Sequence, residues 1–496
     1  MTQKGPAEYA GYVSIKKKNG TDDIETIRFS HDREQAEDFS GPRSSEIICA
    51  IPVTAADASN SETALGDDAL APIVKFCSTL MARFNAAISA FHGLVEIGTY
   101  IRPAFAHSIM ERTVLQLVKD GGTKLTDLGD IETYGLPLGV TAEINKHIDR
   151  VSETDRGLAL LPSSILLSLV ATFDSIIADT IKDILTINPV HLMSSEKQIT
   201  YKELFEFGDV GEIKARIIDG EVDRLLRGSH EAQVEYIEKL VGTKIASHYA
   251  RMPNFLEIFE RRNQVAHASG LVTGQYIDKC KKFKYDTTSL STGDRLDLRP
   301  RYLHKAIDIL LEFGILLSFI AWRKLGNHKE SDKLAYIALN DSCLEFIKKR
   351  RYNLAIWLLD FALFRQTRVD EESVIRNMVL NLANAYKKID KIEDMERVIS
   401  CLNWSATSDL YRIGLASLRE DIDEVTSLLP ILKISQTLSK HSFREWPIFD
   451  WVRDDAAVAK KFEEVFEEPL VLGIVESSAV SEGEPIELAL AGATRH

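Results

Sequence analysis

The chain has 496 residues, of which 45% are hydrophobic and 27% are charged. This length exceeds one ordinary domain, and the composition excludes a disordered chain because it supplies enough apolar surface for large cores. A formal net charge of −14 excludes binding of nucleic acid by bulk electrostatics, so any such contact requires a local basic patch. Five widely spaced cysteines without a CxxC pair disfavour a disulfide framework and a zinc finger.

Targeting and membrane segments are not expected. Residues 1–20 lack the apolar segment of a secretory signal. The longest apolar run, 306–322, contains Asp308 and Glu312, which favours a buried core helix over a membrane span. The sequence therefore predicts a cytoplasmic protein without membrane contact.

Residues 1–155 are predicted to be an α+β region and a candidate sensor. Short β-like runs at 12–15 and 26–29 flank the turn pair Asn19-Gly20, and residues 46–53 are also extended in character. Small polar residues at 54–68 indicate a linker. Helical spacing of apolar residues follows from Leu70 to about Val95, whereas the stretch up to residue 155 is broken by proline and glycine and receives no fold.

From about residue 160 the pattern becomes strongly helical. An apolar stripe that includes Leu166, Phe173 and Ile184 predicts a helix of about six turns that ends before Asn188-Pro189. Four further helical patterns cover residues 212–226, 230–241, 254–268 and 301–324. Five such segments predict an antiparallel helical bundle over residues 160–325.

Residues 335–465 continue as helices with a weak repeat. Segments 351–364, 388–402 and 419–432 each begin polar and become apolar, at a spacing near the roughly 34 residues of a tetratricopeptide (TPR) helix pair. This spacing favours a TPR-like helical array. Residues 466–496 are acidic and rich in small residues, which is typical of a flexible tail.

The candidate chemistry lies in the segment FLEIFERRNQVAHASG, which begins at Phe255. Phe255, Ile258 and Phe259 form an apolar stripe, and Arg262 continues it on the same helix face. An arginine on a core-facing side is costly unless an anion, a carboxylate or a second subunit meets it. On an ideal helix His267 lies about 140° around and about 7.5 Å along from Arg262. The two side chains converge only through their length, an unwound last turn or a dimer.

The spacing of Arg262 and His267 is by itself unspecific. A histidine near a helix C-terminus is favourable to the helix dipole without any catalytic role. Four other pairs have similar spacing: Arg102/His107, Arg224/His230, Arg299/His304 and Arg323/His328. Proline or glycine interrupts each of these pairs, whereas the segment from Arg262 to His267 runs uninterrupted inside a patterned helix.

The residues FLEIFERRNQVAHASGLVTGQYI resemble the motif helix of HEPN domains (higher eukaryotes and prokaryotes nucleotide-binding). The motif of that family is an arginine, four to six residues and a histidine, with a polar residue often following the arginine. The segment SLVATFDSIIADTIKDIL, at residues 168–185, is similar to the opening helix of the abortive-infection branch. The resemblance covers residues 160–325, about a third of the chain.

This resemblance implies a metal-independent endoribonuclease that dimerises, so that two Arg/His pairs line one cleft. By position, His267 is the general acid/base and Arg262 binds the scissile phosphate and stabilises its charge. Asn263 orients either group by hydrogen bonding, and Arg261 is an additional phosphate contact. The implied partner is RNA, with transfer RNA anticodon loops as a family-level target, and neither a metal nor a cofactor is implied.

The complete hypothesis is a ribonuclease effector of bacterial antiviral abortive infection, released by a regulatory protein or a phage-derived trigger. The alternative is a non-catalytic HEPN dimer that recruits a partner through its helical repeats. A third hypothesis is a toxin that a neighbouring antitoxin neutralises. Expression of the nuclease should be toxic to the cell, whereas expression of the scaffold should be harmless.

Overall fold

The computed structural model describes residues 11–17, 24–30, 71–107, 113–128, 131–193, 209–366 and 371–470. Most of these residues are helical, which confirms the prediction of a mainly α protein. The chain divides into two compact units, Met1–Ala335 and Tyr336–His496. The run at 46–53, the linker at 54–68 and all of the predicted tail beyond residue 470 lie outside the described residues.

A four-stranded antiparallel sheet belongs to the first unit. The strands, in spatial order, are β2 (Ile24–Ser30), β1 (Gly11–Lys17), β4 (Ile131–Leu136) and β3 (Thr123–Leu128). Strand β1 pairs with β2 in the register Ile15↔Ile27 and with β4 on its other side. The strands predicted at 12–15 and 26–29 are confirmed, whereas β3 and β4 lie in the stretch that received no fold.

Among the described residues, three helices lie between β2 and β3 in the chain. They are α1 (Ala71–Arg83), which passes through a π-helical turn (Phe84–Ile88) into α2 (Ser89–His107), and α3 (Leu115–Gly121). The apolar residues of α1, including Val74 and Cys77, are buried as their helical spacing predicts. Helix α3 packs against β4 through Val118 and Leu136.

Helix α4 (Leu138–Ile187) is far longer than its apolar pattern predicts. The predicted end before Asn188-Pro189 is confirmed, but the helix begins more than 20 residues before residue 160 and crosses the boundary expected at 155–160. Its early turns carry Val140, Ile144 and Ile148 at helical spacing, and these residues pack against the small apolar cluster of α3 and β4. Within the described residues, α4 alone is long and apolar enough to span a membrane by length and composition. The same features occur in the core helix of a soluble protein.

Helices α5 to α10 complete the first unit apart from the start of α11. Their bounds are α5 (Val190–Met193), α6 (Val210–Leu226), α7 (His230–Val241), α8 (Met252–His267), α9 (Gly274–Lys282) and α10 (Pro300–Gly326). The helices predicted at 212–226, 230–241, 254–268 and 301–324 are therefore confirmed within two residues. Capping explains the sharp limits of α7, since the Ser229 hydroxyl accepts from the Ala232 amide and Gly242 is left-handed.

The core of the first unit surrounds α10, which packs against α1, α2, α4, α7 and α8. The segment 306–322 is almost entirely buried, which confirms that it is a core helix. At its centre the rings of Phe255 and Phe313 stack with centroids 4.1 Å apart, and Phe173 meets the edge of Phe255 at 5.6 Å. This aromatic cluster joins α4, α8 and α10.

Gly314 is the closest approach of α10 to the π-helical turn. A β-carbon at Gly314 would lie 2.3–2.6 Å from atoms of the Phe84 ring. We expect Gly314→Ala to destabilise the protein by about 1–3 kcal/mol, because a well-packed core resists an added methyl group. Gly220→Ala on α6 is the control, since nothing lies within 4 Å of its β-carbon and alanine favours the helix. The midpoint of thermal unfolding should fall for Gly314→Ala and rise for Gly220→Ala. Equal shifts of the two midpoints would contradict the close packing at Gly314.

The second unit is a succession of short helices, and α11 (Lys329–Lys348) crosses the boundary between the units. The others are α12 (Tyr352–Phe364), α13 (Glu372–Lys388), α14 (Ile392–Ile399), α15 (Asp409–Arg419), α16 (Ile422–Ile434), α17 (Lys440–Glu445), a 3₁₀ turn (Pro447–Trp451) and α18 (Ala456–Phe466). Sequential neighbours pack as pairs, α12 with α13, α13 with α14 and α15 with α16. The three segments with a polar start and an apolar end correspond to α12, α14 and α16.

Candidate functional site

Helix α8 carries the residues that the sequence singled out. Phe255, Ile258 and Phe259 are each about 1% exposed, so the predicted apolar stripe faces the core. The helix ends at His267 because the chain turns at Ser269 and Gly270, both with positive φ. The Gly270 amide closes this end by donating to the Gln264 carbonyl.

Arg262 continues the stripe at the edge of the core, and its side chain is 28% exposed. Its Nη2 lies 3.6 Å from Oδ2 of Asp174 on α4, so the meeting group is one of those expected, a carboxylate. The buried Nε of Arg262 has no hydrogen-bond partner among the described residues. The guanidinium therefore has one long ionic contact in place of the two short hydrogen bonds of a bidentate pair.

His230 shares the same carboxylate. Its Nε2 lies 2.9 Å from Oδ1 of Asp174, and its ring stacks on Phe259 with centroids 3.5 Å apart. An ionised carboxylate only accepts hydrogen bonds, so the proton of this bond belongs to His230. Asp174 thus connects an imidazole from the first turn of α7 with the guanidinium of Arg262 from α8.

A small apolar pocket adjoins this cluster. It lies between α4, α7, α8 and α10, with His230 and Gln233 as its polar members. Its apolar lining is Phe173, Ile177, Val234, Ile237, Phe255 and Phe313. The cluster of Arg262, Asp174 and His230 is therefore bordered by mostly apolar side chains, which restrict water on one side of the His230 imidazole.

Asp174 and His230 are the residues that the sequence analysis missed. The Arg224/His230 spacing was set aside because Gly228 interrupts it, and that interruption says nothing about contacts with other helices. In the sequence Asp174 lies away from the most apolar stripe of α4, although it follows Phe173 directly, so a half-buried acid that requires a partner was the available signal. Its partners lie on two helices that only the tertiary structure brings together.

His267 is exposed at the last position of α8. The contacts described within one chain join Arg262 to Asp174 and do not join it to His267. This arrangement agrees with the ideal-helix geometry, which places the two residues on different faces. Asn263, beside Arg262, is partly exposed. The structure therefore unites Arg262 with Asp174 and His230, and it leaves His267 facing solvent.

Arg261, the expected additional phosphate contact, is enclosed in the core. Its side chain is 6% exposed, its Nε donates to Oε1 of Glu257 at 2.6 Å, and its Nη1 donates to the Asp297 carbonyl at 2.6 Å. The hydroxyls of Tyr276 and Tyr302 donate to the same Glu257 carboxylate at 2.5 and 3.0 Å. A guanidinium enclosed in this way would have to leave the core before it touched a phosphate, and its contacts tie α8 to Asp297.

Burial keeps two tyrosine hydroxyls and one cysteine thiol near Glu257 protonated. It raises the pKa of Tyr276 and of Tyr302, and the Glu257 charge raises both further. Burial also raises the pKa of the Cys280 thiol to about 12, again with a contribution from Glu257. At neutral pH these groups therefore remain protonated and do not act as nucleophiles.

RNA binding requires a basic patch, and six cations lie on or next to α8 and α9: Arg251, Arg261, Arg262, Lys279, Lys281 and Lys282. Five of them have an acidic side chain within 4 Å, while Lys281 is exposed. The pairs are Arg251–Glu312, Arg261–Glu257, Arg262–Asp174, Lys279–Glu260 and Lys282–Glu231. The partners reduce the positive charge of these five side chains, while Lys281 faces solvent.

Glu312 on α10 is fully buried beside Arg251, the residue that precedes α8. Its Oε2 lies 2.7 Å from Arg251 Nη1, whereas its buried Oε1 has no partner within the described ranges. Burial raises the pKa of Glu312 to about 7, although Arg251 opposes this shift. Between about pH 4.5 and 7 the folded protein therefore holds a proton that the unfolded chain has released.

We expect stability to fall as the pH rises through that window, by about 3 kcal/mol for the shift of Glu312 alone. Glu312→Gln cannot ionise and should remove this component from urea unfolding measured at pH 5 and pH 7.5. Glu235→Gln, an exposed change on α7, serves as the control. A variant Glu312→Gln with the pH dependence of the wild type would contradict the assignment.

Within the ranges that the structure covers, no group of three His, Cys, Asp or Glu side chains is arranged to hold a metal ion. Comparisons with protein-family models, curated proteins and solved structures gave no match. The resemblance of residues 160–325 to HEPN domains therefore depends on the residues already described.

Proposed function

We propose that the chain is a metal-independent endoribonuclease whose first unit contains a HEPN-like bundle. The observation that carries this proposal is Arg262, a half-buried guanidinium that is held by one long contact and surrounded by titratable groups. Such an incompletely paired arginine beside Asp174 and His230 suits a group that receives a phosphate. The exposed His267 lies one helical turn and a half further along the same helix.

The proposed reaction is an internal phosphoryl transfer within RNA. The ribose 2′-oxygen attacks the adjacent phosphorus, the P–O5′ bond breaks, and the products are a 2′,3′-cyclic phosphate and a 5′-hydroxyl. His267 takes the 2′-hydroxyl proton or protonates the leaving O5′, while Arg262 stabilises the charge of the phosphorane. Asn263 orients these groups by hydrogen bonding. No bond change in this scheme requires a redox step or a cofactor.

A homodimer completes the proposed site. Because Arg262 faces α4 and His267 faces solvent, an exposed His267 of a second copy is the natural partner for the Arg262 cleft. Single-stranded loops, such as transfer RNA anticodon loops, expose bases and permit in-line attack by the 2′-hydroxyl. The pairing of five patch cations suits an effector whose basal cleavage is low and rises when a regulatory protein or a phage-derived trigger opens these pairs.

The proposed setting is bacterial antiviral defence by abortive infection in the cytoplasm. The second unit, as a TPR-like array, provides helical surfaces for the regulatory partner. Purified full-length protein should cleave total RNA or transfer RNA in the presence of EDTA and leave 2′,3′-cyclic phosphate ends. Ends of any other chemistry, or cleavage that EDTA abolishes, would refute this reaction.

A non-catalytic scaffold is the second candidate function. The observation in its favour is that five cations of the candidate patch have an acidic partner within 4 Å and that Arg262 and His267 are not in contact within one chain. Its expression should be harmless, whereas the nuclease should arrest growth in a way that depends on Arg262 and His267. A toxin controlled by an antitoxin would arrest growth only without the adjacent gene.

A further inference from the structure

Asp174 occupies an unusual position between two basic side chains. Its Oδ1 accepts from His230 at 2.9 Å, and its Oδ2 faces Arg262 at 3.6 Å. One trigonal anion thereby bridges an imidazole and a guanidinium, as two oxygens of a phosphate group would. We propose that the Asp174 carboxylate stands where a phosphate of the substrate binds Arg262, and that Asp174 is an internal competitor of that substrate.

The two contacts of Asp174 differ in quality. The bond to His230 has the length of a charge-assisted hydrogen bond, whereas the contact with Arg262 exceeds that range. His230 is also fixed in place, because its ring stacks on the buried Phe259. Asp174 can therefore lose Arg262 and keep a partner, so the pair with Arg262 is the one that opens.

The contacts of Arg262 favour exchange of Asp174 for a phosphate. Its Nε is buried and unpaired among the described residues, which is unfavourable for a charged donor. An RNA phosphodiester carries one negative charge, as a carboxylate does, but its two non-bridging oxygens can meet Arg262 in the bidentate geometry that Asp174 does not adopt. The Arg262, Asp174 and His230 side chains are 28%, 27% and 14% exposed, so a phosphate reaches the cluster from solvent.

This competition rests on the proposed function, because it takes the phosphate of RNA as the incoming group. It also names a step in regulation, namely that a trigger strengthens RNA binding by separating α4 from Arg262. Until then the carboxylate repels an approaching phosphate and satisfies part of the guanidinium. Removal of the Asp174 charge should therefore strengthen phosphate binding.

The test measures binding of radiolabelled inorganic phosphate to the full chain by equilibrium dialysis at low ionic strength. We expect Asp174→Asn to bind about 3–10-fold more tightly than the wild type, because one negative charge beside a dianion is removed. Asparagine keeps a carbonyl oxygen for His230, and Asp174→Ser provides a second neutral variant if the first folds poorly. Asp179→Asn, on the same helix and paired with Arg83, is the matched control and should bind like the wild type.

Adding Arg262→Met to Asp174→Asn should abolish the gain. Equal affinities of the wild type and both neutral variants would overturn the proposal, as would a gain that survives loss of Arg262. The RNA cleavage assay on the same proteins separates the two hypotheses. If phosphate binding changes as expected but no variant cleaves RNA, the competition stands and the nuclease function fails.

Discussion

His267→Ala should reduce RNA cleavage by about 10²–10⁴-fold, since that is the usual contribution of a positioned general acid or base. Arg262→Ala should reduce it by about 10²–10³-fold, because the charge of the phosphorane would lose its principal donor. The measurement is the initial rate of cyclic-phosphate formation on one RNA substrate with EDTA present. Both variants should fold normally, because His267 is exposed and Arg262 makes only a long contact.

Matched controls separate this result from contamination by another ribonuclease. His441→Ala replaces an exposed histidine of the second unit, and Arg299→Ala replaces an arginine whose side chain is 82% exposed. Both controls should keep the wild-type rate. If His267→Ala and Arg262→Ala also keep it, neither residue is catalytic and the observed cleavage belongs to another site or another protein.

Glu257→Ala should be the most destabilising single change around the site. The carboxylate is 2% exposed and accepts from Arg261, Tyr276 and Tyr302. Its removal leaves the Arg261 charge buried without its carboxylate, for which a loss of about 3–5 kcal/mol in the free energy of unfolding is typical. Urea unfolding followed by circular dichroism measures this loss.

The control for that loss is Glu235→Ala, an exposed change on α7 that should remain within about 0.5 kcal/mol of the wild type. Glu257→Gln preserves an acceptor for the tyrosines and should destabilise less than alanine. Glu257→Ala with wild-type stability would show that the network contributes nothing to folding. A large loss of stability in Glu257→Ala would show that the Glu257–Arg261 pair supports folding.

Local rules were enough to predict much of the bundle. Helix α7 begins after Ser229 and ends before Gly242, since a hydroxyl cap and a left-handed glycine act on residues three or four positions away. The buried face of α8 follows in the same way from the spacing of Phe255 and Phe259. The sequence underestimates the length of α4, because the early turns of this helix pack against α3 and β4, a contact that only the tertiary structure shows.

Part of the candidate site also follows from local sequence, and the rest depends on how the helices pack. The sequence by itself determined that Arg262 ends an apolar helix face and needs a carboxylate, an anion or another subunit. It could not identify Asp174 and His230, because they lie on other helices and their approach depends on how α4, α7 and α8 pack. Likewise, adjacent Arg261 and Arg262 look alike in the chain, yet a helix turns by about 100° per residue, so one is enclosed and the other remains half-exposed.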